Sequence, residues 1–285
     1  MMREPTATDR ILTGVTQLPS PAGARDLAIE TAREAGAILR EKLGSVVVEF
    51  KGTVDLVTDA DRASEALIEQ RISGTFPDHR LVGEEGIARD PGSGDDANFA
   101  WIVDPLDGTT NYAHGYPHFA VSIALAYDRT VLLGVVYDPM RDELFFAERG
   151  AGATLNGRPL RLSTASELIR ALLATGFSYD LSERGEQLRV WERLQGQTQG
   201  IRRDGAAALN LAYVGAGRLD GFWERPLQPW DMAAGSLIVE EAGGIVSDYA
   251  GDLFTPFGDG VIAGNAAMHG AMLDAILTSA GEVSP

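Results

Sequence analysis

Two carboxylates three residues apart, Asp104 and Asp107, stand directly after the apolar run Trp101-Ile102-Val103, in the segment Asp104-Pro105-Leu106-Asp107-Gly108-Thr109-Thr110-Asn111. A strand that runs into acids presents them at its carboxyl end, where α/β folds bind ligands. Pro105 restricts the backbone between them. Such a turn can aim both carboxylates and the Leu106 carbonyl at one point, offering the hard oxygen ligands that magnesium takes. Gly108 lets the backbone approach a phosphate, and if residues 109–111 begin a helix, their N–H groups make an anion site. The heptapeptide alone supports a plainer reading equally: Asp107 as an N-cap, Asp104 solvated, Gly and Thr as turn residues.

Three further acidic sites bear on that choice. Glu84, in Gly83-Glu84-Glu85, follows the short apolar run Leu81-Val82. Asp231 opens a helical stretch in which Ala233, Ala234 and Gly235 leave room for close packing. Asp61 closes the segment KGTVDLVTDAD at 51–61. Taken singly, each has a bland explanation: a solvated loop acid, an N-cap, and a first-turn acid favoured by the helix dipole. If Glu84, Asp104, Asp107 and Asp231 converge, charge repulsion decides what accompanies them, because two carboxylates about 4 Å apart repel by roughly 4 kcal/mol at an effective dielectric near 20. A convergent cluster must take up protons or cations, and paired divalent metals turn such a cluster into a phosphoryl-transfer site.

The elements that would carry these acids follow from periodicity. Leu27, Ala28, Ala32, Ala35, Ile38 and Leu39 recur at helical spacing, so a helix is expected from Arg25 to about Leu43, stopped by Gly44. Val46, Val48 and Phe50 alternate as a strand, and a second helix is expected from near Asp61 to Ile72. Strands follow at 101–103, 119–127, 131–137 and 143–147, with Asn156-Gly157 as a hairpin turn, giving a mostly antiparallel sheet. Beyond about Ser163, strands (171–175, 220–223, 245–247, 261–263) alternate with helices (182–194, 206–214, 231–241, 266–277). The expected organisation is a flexible extension over 1–22, an α+β part over 23–163, and an α/β part over 164–285 sharing one site with it. The segment PGSGDD at 91–96 reads as a surface turn.

Composition narrows the chemistry. The 285 residues are 45% hydrophobic and 23% charged, as in ordinary globular proteins, and contain no cysteine. Thiolate nucleophiles, disulfides and cysteine-based metal sites are therefore excluded. The net charge is −17, with 41 acidic and 24 basic residues, so nucleic acid is not an expected partner. No stretch reads as a signal peptide or membrane span, and a cytoplasmic location is the default expectation. The histidines, His79, His114, His118 and His269, read as turn or surface residues, and Trp191, Trp223 and Trp230 as packing residues.

With GEE at 83–85, DPLDGTTN at 104–111 and WDMAAGSLIVEEAGG at 230–244, in that order, the chain resembles the inositol monophosphatase family. The likeness continues through 51–61 and RRDGAAALNLAYVGAGRLDGFWE at 202–224, and covers nearly everything from residue 25 onward. The resemblance implies a layered αβαβα sandwich, a homodimer, and a lithium-sensitive phosphatase that uses two or three Mg²⁺ ions to activate the water attacking phosphorus. It makes Glu84, Asp104, Asp107, Asp231 and the Leu106 carbonyl the metal ligands. It has Thr109 and Glu84 orient the water, with Asp61 polarising the threonine hydroxyl. It also has the Gly108 and Thr109 backbone hold the phosphate, while Glu224 and the Gly205-Ala206-Ala207 backbone contact the substrate.

One departure stands out. Family members usually carry Gly-Ser or Gly-Thr before Ala-Ala, whereas this chain has Gly205-Ala206, which is expected to affect substrate preference more than chemistry. The substrate is expected to be inositol monophosphate or a related small polyol or sugar phosphate. Rivals within the same fold act on fructose 1,6-bisphosphate, histidinol phosphate or 3′-phosphoadenosine phosphate. A rival of another class is a non-catalytic interaction protein with an acidic surface.

Overall fold

The apolar stripe expected near the start forms the buried face of α1 (Ala24–Lys42), with Leu27, Ala28, Ala32, Ala35 and Leu39 inside, and Gly44 lies just past its end at φ +84°. The computed structural model describes residues 20–45, 47–50, 56–90, 98–180 and 184–281. Most of the expected N-terminal extension (1–19), the segment 51–55 and the turn at 91–96 lie outside the described residues, as does Val46 of the first expected strand. A short antiparallel pair, β1 (Val48–Phe50) and β2 (Leu56–Thr58), leads into α2 (Asp59–Thr75). Thr58 and Asp61 form a reciprocal capping box there, which fixes where the helix begins.

An eight-stranded sheet follows, built from β3 (Arg80–Gly83), β4 (Ala88–Arg89), β5 (Phe99–Asp107), β6 (Ala120–Tyr127), β7 (Thr130–Asp138), β8 (Glu143–Glu148), β9 (Gly152–Leu155) and β10 (Arg158–Pro159), with the short α3 (Thr109–Ala113) after β5. The order is β10-β9-β8-β7-β6-β5-β3-β4, and every pairing is antiparallel except β3 with β5. The second sheet comprises β11 (Leu172–Thr175), β12 (Gly200–Arg202), β13 (Gly221–Glu224), β14 (Ile245–Ser247) and β15 (Val261–Gly264), ordered β12-β11-β13-β15-β14. Its helices are α4 (Arg184–Gln195), α5 (Ala207–Gly215), α6 (Pro229–Glu241) and α7 (Ala266–Gly281).

Strand alternation sorts the side chains into five layers. Trp101, Val103, Val121, Ile123 and Leu125 face α1 and α2, whereas Ile102, Ala120, Ala124 and Ala126 face α5 and α6. The far side of α5 and α6 meets Ala174, Phe222, Val261 and Ala263 of the second sheet. The outer face of that sheet, with Leu173, Trp223 and Ile262, is covered by Val190 and Leu194 of α4 and by Met268, Met272 and Ile276 of α7. This is the expected αβαβα sandwich. The small residues in α6 serve close packing: a Cβ at Gly235 would come within 2.6 Å of Leu211 Cβ, and one at Gly134 within 2.8 Å of Ala234 Cα.

Two expectations are corrected. The first strand toward the acidic segment does not stop at Val103. Pairing with β6 continues through Asp104↔Ser122 and resumes at Asp107↔Ala120, so that Pro105 and Leu106 together stand opposite Val121. Pro105 has no N–H to give the ladder, and the extra residue forms a bulge rather than a free turn. The histidines differ too, since only His114 is exposed. His79 stacks between Phe76 and Phe99 and its Nδ1 accepts from Trp101 Nε1 at 3.1 Å, while His269 Nε2 lies 2.8 Å from Ser247 Oγ. His118 is buried against Tyr213.

Candidate active site

The bulge at the end of β5 opens onto a cleft of about 470 Å³ between the two sheets' ends. Glu84, Asp104, Asp107, Glu224 and Asp231 line it, with Arg203 as the one cation among the described lining residues. These side chains arrive from the β3–β4 hairpin, β5, β13 and the first turn of α6, so the sandwich brings together acids up to about 150 positions apart in sequence.

Asp104, Asp107 and Asp231 are each held by backbone donors. Asp104 Oδ1 accepts from Leu106 N at 2.9 Å, which fixes the bulge, and Ser64 Oγ donates to the Pro105 carbonyl at 2.9 Å. Asp107 accepts from Ala207 N at 3.0 Å and Leu209 N at 3.2 Å. It therefore caps α5, whose own N-cap, Ala206, has no side-chain acceptor; the expected N-cap role is real but serves a helix a hundred residues away. Gly108, at φ +95°, precedes α3, and a Cβ there would lie 3.1 Å from the His118 carbonyl and 3.3 Å from Ala206 Cβ. Asp231 is the third residue of α6, not its N-cap, and its Oδ2 accepts from Gln228 N at 2.7 Å.

Beside the acids, Thr109 Oγ1 lies 3.0 Å from the Leu106 carbonyl and 3.2 Å from Asp61 Oδ1. Asp61 Oδ2 accepts from Thr58 N at 2.9 Å and from the Thr58 hydroxyl. Asn111 Nδ2 donates to the carbonyls of His118 (2.8 Å) and Asp204 (2.7 Å), tying the α3 turn to the loop that carries Gly205.

Gathering so many carboxylates out of water shifts their ionisation. Burial, then the charges of Glu84, Asp107 and Asp231, raises Asp104 well above the usual carboxylate range. Burial pushes Asp107 up to about 7 against its backbone hydrogen bonds, and Asp231 likewise to about 7. Burial, followed by the Asp231 charge, lifts Glu224 to about 8, with Arg203 pulling the other way. Asp61 is raised by burial although Thr58 and Thr109 hydrogen-bond it.

Oxygen donors under mutual repulsion suit a hard divalent cation, whose charge would remove the cost that now favours protonation. Among the described residues no three acids are grouped tightly enough to enclose an ion as they stand. Asp107 and Asp231 turn oxygens toward backbone N–H groups, and the acids share a cleft rather than a finished coordination shell. Each keeps lone pairs beyond those backbone bonds, since a carboxylate offers about four acceptor positions.

Thus Glu84, Asp104, Leu106, Asp107, Gly108, Thr109, Gly205, Ala207, Glu224 and Asp231 line one cleft, Asp61 stands behind Thr109, and Ala206 is buried beneath Gly108. Sequence reading passed over Ser64, Glu65, Gly176, Tyr179 and Arg203. Trp230 packs against the core as expected and also lines the cleft. Of these, only Arg203, beside the Gly205-Ala206-Ala207 segment, carried a local signal.

Residues 23–283 match the profile of the Inositol monophosphatase family. The chain is 47% identical over 257 residues to the Nus factor SuhB of Pseudomonas aeruginosa, covering 88% of this chain and 94% of that protein. It is also 47% identical over 231 residues to the Inositol-1-monophosphatase of a Synechocystis species, covering 79% of this chain and 78% of that one. The crystal structure of the extragenic suppressor protein suhB from Bartonella henselae superposes with a TM-score of 0.83 at 41% identity, covering 90% of this chain and 98% of the other.

Proposed function

The chain belongs to the inositol monophosphatase family, and from that premise we propose that it is a Mg²⁺-dependent phosphomonoester hydrolase acting on inositol monophosphate or a related small polyol or sugar phosphate. The observation that carries this reading is the convergence of Glu84, Asp104, Asp107 and Asp231 on one cleft with the Thr109–Asp61 hydrogen bond at its edge.

Glu84, Asp104, Asp107, Asp231 and the Leu106 carbonyl would hold two or three Mg²⁺ ions. Bound magnesium supplies charge neutralisation for the phosphate oxygens and the departing alkoxide, and acidifies water. The chain's own residues do the rest. The Thr109 hydroxyl donates to Asp61, leaving its oxygen lone pairs free to accept a hydrogen bond from the attacking water; as the water gives up its proton to Thr109, Thr109 passes its own to the Asp61 carboxylate. Glu84 faces the same volume and orients that water in line with the scissile bond. The Gly108 and Thr109 N–H groups bind the phosphate. Glu224 accepts a hydrogen bond from a substrate hydroxyl, flanked by the Gly205–Ala207 backbone. Catalysis of this kind is positioning plus charge neutralisation.

In this reading the parts 23–163 and 164–285 share the one active site, lithium inhibits, and the working form is a homodimer. No described helix is long and apolar enough to cross a membrane. The test is phosphate release from inositol 1-phosphate, fructose 1,6-bisphosphate, histidinol phosphate and 3′-phosphoadenosine phosphate, each with Mg²⁺ and with chelator. Turnover that requires Mg²⁺ and ranks the inositol ester first supports the proposal; a different leading ester moves the substrate within the same fold. Silence on all four, from a folded protein that binds Mg²⁺, would turn the assignment to an interaction protein, the alternative favoured by the Nus factor name of the Pseudomonas aeruginosa relative.

A further inference from the structure

Three residues of the first two turns of α2, Asp61, Ser64 and Glu65, stand at i, i+3 and i+4 and so project from one side of the helix. Asp61 meets Thr109. Ser64, wholly buried, donates from Oγ to the Pro105 carbonyl at 2.9 Å, in the middle of the bulge between Asp104 and Asp107. Glu65, 9% exposed, accepts at Oε1 from the backbone N–H groups of Glu85 at 3.1 Å and Ile87 at 3.4 Å. Those two amides belong to the β3–β4 turn that carries Glu84, which Gly83 N closes by donating to the Ile87 carbonyl at 2.9 Å. A Cβ at residue 83 would come within 3.3 Å of Glu65 Oε1, so the turn is seated directly on the carboxylate.

A single helical turn thus grips two chain segments that reach the cleft independently: the Glu84 turn through Glu65, and the Asp104–Asp107 bulge through Ser64. Neither side chain lines the cleft itself. Burying a carboxylate carries a desolvation cost, and burial raises the Glu65 pKa accordingly. An apolar residue would fill the same space without that cost, but would leave two turn amides without an acceptor.

We propose that Ser64 and Glu65 are positioning residues of the metal site, setting the separation between Glu84 and the Asp104–Asp107 pair so that all three carboxylates can share cations. The proposal rests on reading the cleft as a magnesium site. Outer residues that orient metal ligands typically contribute about ten- to a hundredfold in metal affinity.

Calorimetric titration of the full chain with MgCl₂ tests it, with wild type, Glu65→Ala, Glu65→Gln and Ser64→Ala compared. Expected are Mg²⁺ binding by the wild type, binding weakened about tenfold or more in Glu65→Ala, and near wild-type binding in Glu65→Gln, whose Oε1 keeps the acceptor for both amides. Wild-type affinity in a folded Glu65→Ala overturns the proposal, as does a Glu65→Gln variant as weak as Glu65→Ala. Should Glu65→Ala not fold, Ser64→Ala decides alone: weakened binding supports the positioning role and unchanged binding removes it. No binding by the wild type overturns the magnesium reading itself, an outcome distinct from wild-type binding that the variants leave unaltered.

Discussion

The carboxylate of Glu224 lies directly over the Cα of Gly176: a methyl group added at residue 176 would sit within 1.9 Å of Glu224 Oε1. The Glu224 side chain folds over the chain leaving β11, so its carboxylate fills the space a Cβ at residue 176 would take. Gly176→Ala is therefore expected to push Glu224 out of place while the acids of β5 and α6 keep theirs. If Glu224 holds a substrate hydroxyl, KM rises and kcat/KM falls at least about tenfold, since displacements near 1 Å at a positioned group can cost about a hundredfold. Steady-state kinetics on the preferred ester, with Mg²⁺ affinity measured in parallel, checks this; unchanged kinetics would remove Glu224 from the substrate contacts.

Thr109, Asp61 and Thr58 form a relay of hydroxyl and carboxylate reaching from the cleft to the start of α2. Thr109→Ala is expected to lower kcat by at least about a hundredfold, the lower bound typical of a lost proton acceptor, while Thr109→Ser retains most of it. Thr58→Ala removes both the N-cap of α2 and a partner of Asp61. Its expected cost is about 1 kcal/mol of stability, read by denaturant unfolding, together with a smaller fall in kcat than Thr109→Ala. Equal turnover in wild type and Thr109→Ala would exclude the hydroxyl from the chemistry.

The parts of this site that were legible in the sequence are those coded by adjacent residues. Asp104 and Asp107 announce themselves because strand, acid, proline, acid and glycine fall within one short segment, and the helix and strand periods around them are long and regular. What sequence alone did not show are contacts made only when distant elements pack. Ser64 and Glu65 read as ordinary helix residues until the β3–β4 turn and the bulge settle on them, and Gly176 is an unremarked glycine until Glu224 crosses it. The bulge escaped because Pro105 looks like a strand terminator locally, whereas β6 supplies a partner that carries pairing past it. A single histidine has no periodicity, so the burial of His79 between two aromatic rings had no signal to read.

Asp107 serves two purposes at once, and its substitution should show both. In Asp107→Asn one side-chain oxygen becomes an NH₂ group, which cannot accept from whichever of Ala207 N or Leu209 N it faces. Leaving a buried donor unpaired costs about 1–3 kcal/mol. The expected result is a loss of stability of that size alongside a fall in kcat/KM of at least about a hundredfold, roughly 2.7 kcal/mol. Chemical unfolding in chelator isolates the first effect and kinetics at saturating Mg²⁺ the second. Near-normal turnover would take Asp107 out of the catalytic set and leave it a helix cap.

The raised pKa values fix the sign of a pH effect on stability. Without divalent ions, Asp107 and Asp231 titrate near 7 and Glu224 near 8 in the fold, against 3.8 and 4.5 as their ordinary values. Each protonated group therefore favours the folded state most below its unfolded pKa, and that stabilisation is lost progressively as pH rises through the folded values. In chelator the melting temperature should fall from about pH 5.5 to about pH 8. Saturating Mg²⁺ should flatten or reverse the trend, because cations bind the ionised carboxylates of the folded protein. Glu224→Gln removes one titrating group and should reduce the slope in chelator. A melting temperature in chelator that rises across this range would mean that these carboxylates are already ionised without metal, and the charge argument for the site would fail.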